Sequence, residues 1–368
     1  MTASSAGAVA VMGRRCLRTN PRVDTNSRPS QAERVIGPAA LNDRRLLAAR
    51  RAVLSASRVT RAVQADLQTS GVMTKDDRSP VTVADYAAQA IVAHVLQQDL
   101  GPVRLVGEER ADALRLRENS ALLARTVEQA QRVWPGADAE SLMRAIDVGA
   151  AEPDLGGFWT LDPVDGTKGF LRNQHYAVSL AYIEAGAPVL AALACPNFEM
   201  DINHALDRPG RGVLCVAALG QGAWQSALHD GALMHRMPAA SRRQDLVRTC
   251  ESVEAGHSNH GAHAKILRQA GLSASSVRLD SQAKYAVVAR DQADVYLRLP
   301  SHRGYVEKIW DHAAGQLVAQ EAGLMVSDFK GRALDYSHGR RLEKNRGIIV
   351  AAPHHHTRLV AAIRRLGF

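Results

Sequence analysis

The sequence predicts a layered fold of the α+β / α/β class, with an antiparallel-sheet N-terminal part and a smaller α/β C-terminal part. Three observations predict it. The chain has 368 residues, too many for one small core, so two domains or one large layered α/β unit is expected. Residues 158–215 alternate short apolar runs with turn residues, as in "FWTLD", "HYAVSLAYIEAG", "PVLAALACPN" and "GVLCVAALGQGAW", the texture of an antiparallel meander. After about residue 245 the texture changes, and "SSVRLDSQAKYAVVARDQADVYLRLP" and "EKIWDHAAGQLVAQEAGLMVSDFKG" alternate strand with helix. The expected division is a leader at 1–45, an α+β domain at 46–245 and an α/β domain at 246–368.

The leader is rich in Ala, Ser and Arg, and its first acid is Asp24. That composition fits an organelle transit peptide, and equally a disordered tail or a misassigned start codon. The first reading places the protein in a plastid or mitochondrion, the others in the cytoplasm. Leu46, Leu47, Val53, Leu54, Val59, Val63 and Leu67 then recur at helical spacing. Pro80 interrupts the chain, Val81-Thr82-Val83 reads as β-like, and Asp85 can cap a helix running to about Leu100. "VRLVGEE" reads as a short strand ending in acids. Residues 110–155 are polar and helical in character and read as an insertion.

The formal net charge is +9, but residues 1–51 hold ten arginines against three acids, a net of +7, leaving about +2 for the remainder. The basicity therefore belongs to the N-terminal segment, and no nucleic-acid partner is expected. Four cysteines, Cys16, Cys195, Cys215 and Cys250, show neither C-x-x-C nor disulfide-framework spacing and read as reduced thiols. The most apolar stretch, "YAVSLAYIEAGAPVLAALAC", contains Glu184, Gly186 and Pro188, so it reads as two strands and a turn, not a membrane span.

Acids close three strand ends or helix starts: Glu108-Glu109 after "RLVG", Asp162 and Asp165 after "FWTL", and Asp311 in "WDHAAGQLVAQEAG". Crowded carboxylates repel and raise one another's pKa, and a divalent cation relieves this. An all-oxygen set of carboxylates and a backbone carbonyl suits Mg²⁺, which commonly also binds a substrate phosphate. Two such ions can clamp the attacking water and the leaving oxygen of a phosphoryl displacement. Gly166 permits close backbone approach, and Thr167 can donate to phosphate or orient a water. Helix starts near Thr167 and Asp311 would add positive dipole ends. The D-x-D-G-T pattern of phosphatases with an aspartyl nucleophile is excluded, because Pro163 stands two residues before Asp165. A single D-x-x-D is more often a turn or cap; the whole set of acids is what carries the reading.

"GEE", "LDPVDGTKGF" and "WDHAAGQLVAQEAG" resemble the three metal-site signatures of the inositol monophosphatase superfamily, the magnesium-dependent, lithium-sensitive phosphatases. "DDRSPVTVADYAAQA", "GTKGFLR", "VEAGHSNH", "LDSQAKY" and "DVYLRLP" resemble, more narrowly, its 3'(2'),5'-bisphosphate nucleotidases. The resemblance runs from about residue 46 to the C-terminus and implies an αβαβα sandwich and a phosphoric monoester hydrolase. The activity implied converts adenosine 3',5'-bisphosphate to AMP and phosphate, with 3'-phosphoadenosine 5'-phosphosulfate as a further substrate.

By the same resemblance, Glu108, Asp162, the Val164 carbonyl, Asp165 and Asp311 would hold two or three Mg²⁺ ions. Asp77 with Thr167 would activate the water, in preference to Asp76, and Asp85 would support the loop. Gly166, Thr167, His257, Ser281, Lys284 and Arg298 would bind substrate. Lys284 and Arg298 supply the cations that a second phosphate needs; without the resemblance, Arg298 reads as an acid's partner at a strand edge and Lys284 as a solvated helix residue. Glu109 either reaches an outer metal through water or faces solvent. Trp159 and Trp310 read as core packing, and "PHHHT" at 353–357 as the solvated start of the last helix. A small-molecule substrate, no membrane and a monomer are expected. The alternatives are an inositol polyphosphate 1-phosphatase-like activity on inositol 1,4-bisphosphate and, in another class, a non-catalytic nucleotide-binding regulator or an RNA-associated protein.

Overall fold

In the computed structural model, residues 39–70, 79–230, 233–238, 245–253, 260–300 and 304–368 are described. The leader through residue 38, Asp76, Asp77 and His257 lie outside them.

Helix α1 (Arg44–Ser70) starts where Asp43 caps it: its Oδ1 accepts from the Arg45 and Leu46 amides at 2.7 and 3.3 Å. Leu46, Val53, Val59, Val63 and Leu67 are buried, as their spacing predicts. Arginines 44, 45, 50 and 51 sit on this helix, so part of the N-terminal charge belongs to the folded body. Helix α2 (Ser79–Leu100) corrects one expectation. Val81-Thr82-Val83 is helical, Pro80 sits in the first turn where its missing N–H costs nothing, and Asp85 lies inside the helix, not at its cap. Residues 83–93 are all buried. A helix covered on every side has no polar stripe to reveal its period, and three β-branched residues then mimic a strand.

The first sheet follows chain order throughout: β1 (Leu105–Gly107), β2 (Phe158–Asp165), β3 (Ala177–Glu184), β4 (Ala187–Cys195), β5 (Val213–Ala218), β6 (Gly222–Ala227) and β7 (His235–Arg236). Only β1–β2 is parallel; the other pairs are antiparallel, as the meander predicts. The β3–β4 hairpin turns on Ala185 and Gly186, both at positive φ (50° and 77°), which matches the strand twist. Between β1 and β2 lie α3 (Ser120–Gln131) and α4 (Ala139–Val148), the helical insertion, with Leu142 and Ile146 buried. Short α5 (Thr167–Leu171) follows β2 directly.

The second sheet has the order β11-β12-β10-β8-β9. Its strands are β8 (Leu246–Glu251), β9 (Ser273–Arg278), β10 (Val295–Arg298), β11 (Met325–Ser327) and β12 (Ile348–Ala351), alternating with α6 (His260–Gln269), α7 (Ala283–Ala289), α8 (Ala313–Glu321) and α9 (Pro353–Leu366). β8 pairs in parallel with β9 and β10, and β12 runs antiparallel to β10 and β11.

Residues 37–368 form one unit of five layers. α1 and α2 cover one face of the first sheet; α7 and α8 lie between the sheets; α6 and α9 cover the far face of the second. This is the αβαβα order expected. Trp159 and Trp310 are buried in these cores. The histidines of "PHHHT" do begin α9, but His355 and His356 are buried, and His356 Nε2 lies 2.7 Å from Ser327 Oγ, so the solvated reading does not hold. Among the described cysteines, Cys195, Cys215 and Cys250 are buried free thiols. No described helix is long and apolar enough to cross a membrane.

Candidate active site

The parallel pairing of β1 with β2 sets Gly107 beside Leu161, so Glu108 leaves its strand next to Asp162. On a regular strand, residues three apart point to opposite faces. Asp162 and Asp165 nevertheless line one cleft, because the β2–β3 register shifts between them. Pro163 has no N–H for the ladder, and the irregularity at Pro163-Val164 re-aims the strand. Gly166 then takes φ +89°, and Thr167 opens α5, its Oγ1 donating to the Val164 carbonyl at 3.5 Å. A Cβ at Gly166 would come within 2.8 Å of Ser281 Cβ, so the glycine is what lets the second half of the chain close over the turn.

The cleft has a volume of about 320 Å³. Glu108, Asp162, Val164, Asp165 and Asp311 line it together with Ser281, Lys284, Arg298 and Tyr305, and with Gly166, Thr167, Lys168, Ser252 and Asp280. Of the residues expected at the site, all that are described are therefore in one place, drawn from both sheets. Lys168 and Asp280 fall within the "GTKGFLR" and "LDSQAKY" motifs but were not singled out, and Ser252 and Tyr305 had no signal of their own in the sequence. A smaller cavity of about 80 Å³, lined in part by His175, Asn197 and Arg278, meets the cleft at Asp280.

The carboxylates destabilise one another. Desolvation by the surrounding cleft, then repulsion from Glu109 and Asp165, pushes the Glu108 carboxyl up to about 7, although the residue itself remains exposed. Burial, then Glu108, Asp165 and Asp311, holds Asp162 well above the usual range. Asp311 and Asp85 are raised, each mainly by burial. Asp165 is raised by burial, against the pull of Lys284. Asp162 Oδ1 is buried with no hydrogen-bond partner among the described residues. An orphaned buried carboxylate oxygen within an all-oxygen cluster fits a hard divalent cation.

The same cleft also holds two cations, Lys284 and Arg298. Lys284, buried near the start of α7, donates to the Leu279 carbonyl at 3.3 Å and lies 5.4 Å over the Tyr296 ring. Burial, then Arg298, lowers its pKa to about 8, so the solvated-helix reading is excluded. Arg298, the last residue of β10, does pair with an acid: its Nε donates to Glu307 Oε1 at 2.8 Å, and its Nη2 to Tyr305 Oη at 3.3 Å. Burial raises the Glu307 carboxyl, but His312 and Arg298 outweigh it and hold it at about 2. The ionised Glu307 must accept from His312 Nε2 at 3.2 Å, and burial keeps that imidazole neutral, so its Nδ1 accepts from Tyr285 O–H at 2.8 Å. Glu307, Asp311 and His312 bring ligand atoms within 4.8 Å of one another, yet Glu307 is already committed to Arg298 and His312.

Behind the acids, buried Gln89 of α2 holds the loop after β1. Its Oε1 accepts from Glu109 N–H at 3.0 Å, and its Nε2 donates to the Glu109 and Ile146 carbonyls at 2.7 and 2.9 Å. A Cβ at Gly107 or Gly149 would meet Gln89 at 2.4 Å.

A profile of the inositol monophosphatase family matches residues 43–367. A 3'(2'),5'-bisphosphate nucleotidase of Schizosaccharomyces pombe is 41% identical over 322 residues, covering 83% of this chain and 90% of that protein. One from Oryza sativa is 40% identical over 320 residues, covering 83% and 89%. In fold, the chain is similar to Mycobacterium tuberculosis SuhB, with a TM-score of 0.55, 21% identity and coverage of 90% of this chain and 98% of that one. It is also similar to CysQ from Bacteroides thetaiotaomicron, with a TM-score of 0.54, 21% identity and coverage of 83% and 96%.

Proposed function

The chain belongs to the inositol monophosphatase family, and from that premise we propose that it hydrolyses the 3'-phosphate of adenosine 3',5'-bisphosphate to give AMP and phosphate. The observation that carries this reading is that one cleft is lined both by clustered carboxylates and by the cations Lys284 and Arg298. A monophosphate needs only the carboxylates. A substrate with a second phosphate, not itself attacked, gives the buried Lys284 ammonium, and the Arg298 donors that Glu307 does not take, an anion to bind.

Glu108, Asp162, the Val164 carbonyl, Asp165 and Asp311 would hold Mg²⁺, in two or three ions. Bound there, the cation would neutralise the phosphoryl oxygens and acidify a water. The remaining work falls to the chain. Thr167 Oγ1 donates to the Val164 carbonyl, which leaves its lone pairs to accept a hydrogen bond from the attacking water. Asp77, outside the described residues, is the proposed acceptor of that water's proton, and Asp85 would support the loop. As the water oxygen bonds to phosphorus, the bond to the 3'-oxygen breaks on the opposite face; that oxygen departs as the alkoxide and takes a proton from a solvent water, while the proton held by the base returns to solvent. Lys284 and Arg298, with Ser281 and His257, hold the 5'-phosphate and nucleoside. The same placement admits 3'-phosphoadenosine 5'-phosphosulfate, which carries the same 3'-phosphate.

The test is phosphate release, with and without Mg²⁺, from adenosine 3',5'-bisphosphate, inositol 1,4-bisphosphate and inositol 1-phosphate, with Asp162→Asn as the blank. Preference for the nucleotide is expected. Preference for an inositol phosphate would keep the metal chemistry and overturn the nucleotide pocket; no release from any would leave a nucleotide-binding regulator.

A further inference from the structure

Asp165 and Asp311 stand 146 positions apart in sequence, on the two halves of the chain, and have to meet at one cleft. Repulsion favours their separation. One residue touches the backbone or side chain next to both. Gln282, only 1% exposed, donates its backbone N–H to Asp165 Oδ2 at 2.6 Å. Its side-chain Nε2 donates to the Trp310 carbonyl, one residue before Asp311, at 2.7 Å. Its Oε1 accepts from the Gly315 amide in the first turn of α8 at 2.9 Å. The residue before it, Ser281, takes φ +71°, a conformation that a side chain disfavours, and its Cβ packs against the turn at Gly166.

We propose that Gln282 is a positioning residue that sets the spacing between the Asp165 and Asp311 carboxylates, and thereby the divalent-cation affinity of the cleft. It acts through the groups it holds and touches no substrate. Its backbone N–H fixes Asp165 Oδ2, so that this carboxylate would meet a cation already oriented. Its carboxamide pins both ends of the Trp310–Gly315 segment that carries Asp311. An amide is suited to this, because it offers a donor and an acceptor at one point without adding charge to an acidic cluster. The proposal rests on the reading of Asp165 and Asp311 as ligands.

The experiment is calorimetric titration of Mg²⁺ into the full chain after removal of divalent ions by chelator. Wild type, Gln282→Ala, Gln282→Met, Asp165→Asn and Gln225→Ala are compared. Gln225 is a buried glutamine outside the cleft lining whose Oε1 accepts from Arg290. Gln282→Ala and the volume-preserving Gln282→Met should bind Mg²⁺ roughly 10–100-fold more weakly. Gln225→Ala should lose thermal stability with no change in affinity, which separates positioning from general destabilisation. Wild-type affinity in Gln282→Met, with affinity lost in Asp165→Asn, overturns the role of Gln282 alone. Wild-type affinity in Asp165→Asn overturns the ligand reading, and the proposal with it.

Discussion

Gln89 grips Glu109 by both of its backbone polar groups, accepting from the N–H at 3.0 Å and donating to the C=O at 2.7 Å. The acidic loop after β1 is thus hung from helix α2. Gln89→Ala would leave the Glu109 amide and carbonyl without their side-chain partner beneath the cleft, at about 1–3 kcal/mol for each group left unsatisfied. Urea unfolding should show a loss of roughly 2–5 kcal/mol, and the Mg²⁺ concentration giving half-maximal activity should rise. A variant with wild-type values in both would remove Gln89 from the account.

Chelator should destabilise the wild type more than it destabilises Asp162→Asn. A cation that binds only the folded state adds about 2.7 kcal/mol at a hundredfold excess over its Kd. Asp162→Asn removes a buried carboxylate that the others repel, so its metal-free form should melt higher than the metal-free wild type, while turnover falls by about a thousandfold, roughly 4 kcal/mol in barrier. Paired melting curves with EDTA and with Mg²⁺ provide the check.

Lys284 sets an alkaline limit for binding. With its pKa lowered to about 8, the ammonium is charged below that pH and neutral above it. kcat/KM for the bisphosphate should fall by up to tenfold per pH unit once the pH exceeds about 8. The stability of the free protein runs the other way. The folded state releases this proton near 8 and the unfolded state near 10.5, so Lys284 makes folding more favourable as pH rises between them. In Lys284→Arg the alkaline fall in kcat/KM should disappear. A wild-type profile flat to pH 9.5 counts against the assignment.

Glu307→Gln tests what holds Arg298 in place. Glu307 is ionised at every working pH, and breaking a buried charged pair costs about 3–5 kcal/mol. The KM for adenosine 3',5'-bisphosphate should rise by about tenfold, with little change for inositol 1-phosphate, which has no second phosphate to lose. Equal effects on both substrates would assign Glu307 to general stability only.

How far the sequence revealed this depends on the kind of signal each residue leaves. Glu108, Asp162, Asp165 and Asp311 were legible because acids at the ends of apolar runs are costly and therefore conspicuous. The meander was legible from its turns. The helical state of 81–83 was hidden by three successive β-branched residues at the start of a helix that is buried from Val83 to Ala93, and the burial of His355 and His356 by their polar type. Gln89 and Gln282 fall within the "DDRSPVTVADYAAQA" and "LDSQAKY" motifs, but their contacts were not legible, since each acts through partners brought to it by folding: Ile146 lies 57 positions from Gln89, and Trp310 lies 28 from Gln282. Glu307 had the nearest thing to a signal, an acid four residues before Asp311. Asp77 and His257 were singled out by resemblance and lie outside the described residues.

The shared middle layer has a consequence for how the chain is made. The first sheet is complete in sequence by Arg236, but one of its faces is covered by α8, which ends at Glu321. During synthesis from the N-terminus, the β3–β6 surface therefore waits for some 85 further residues, several seconds of translation at about 5–20 residues per second, before its cover exists. The nascent chain carries a half-dressed sheet through that interval, and a ribosome stalled between those points would hold a species that depends on chaperones to stay soluble.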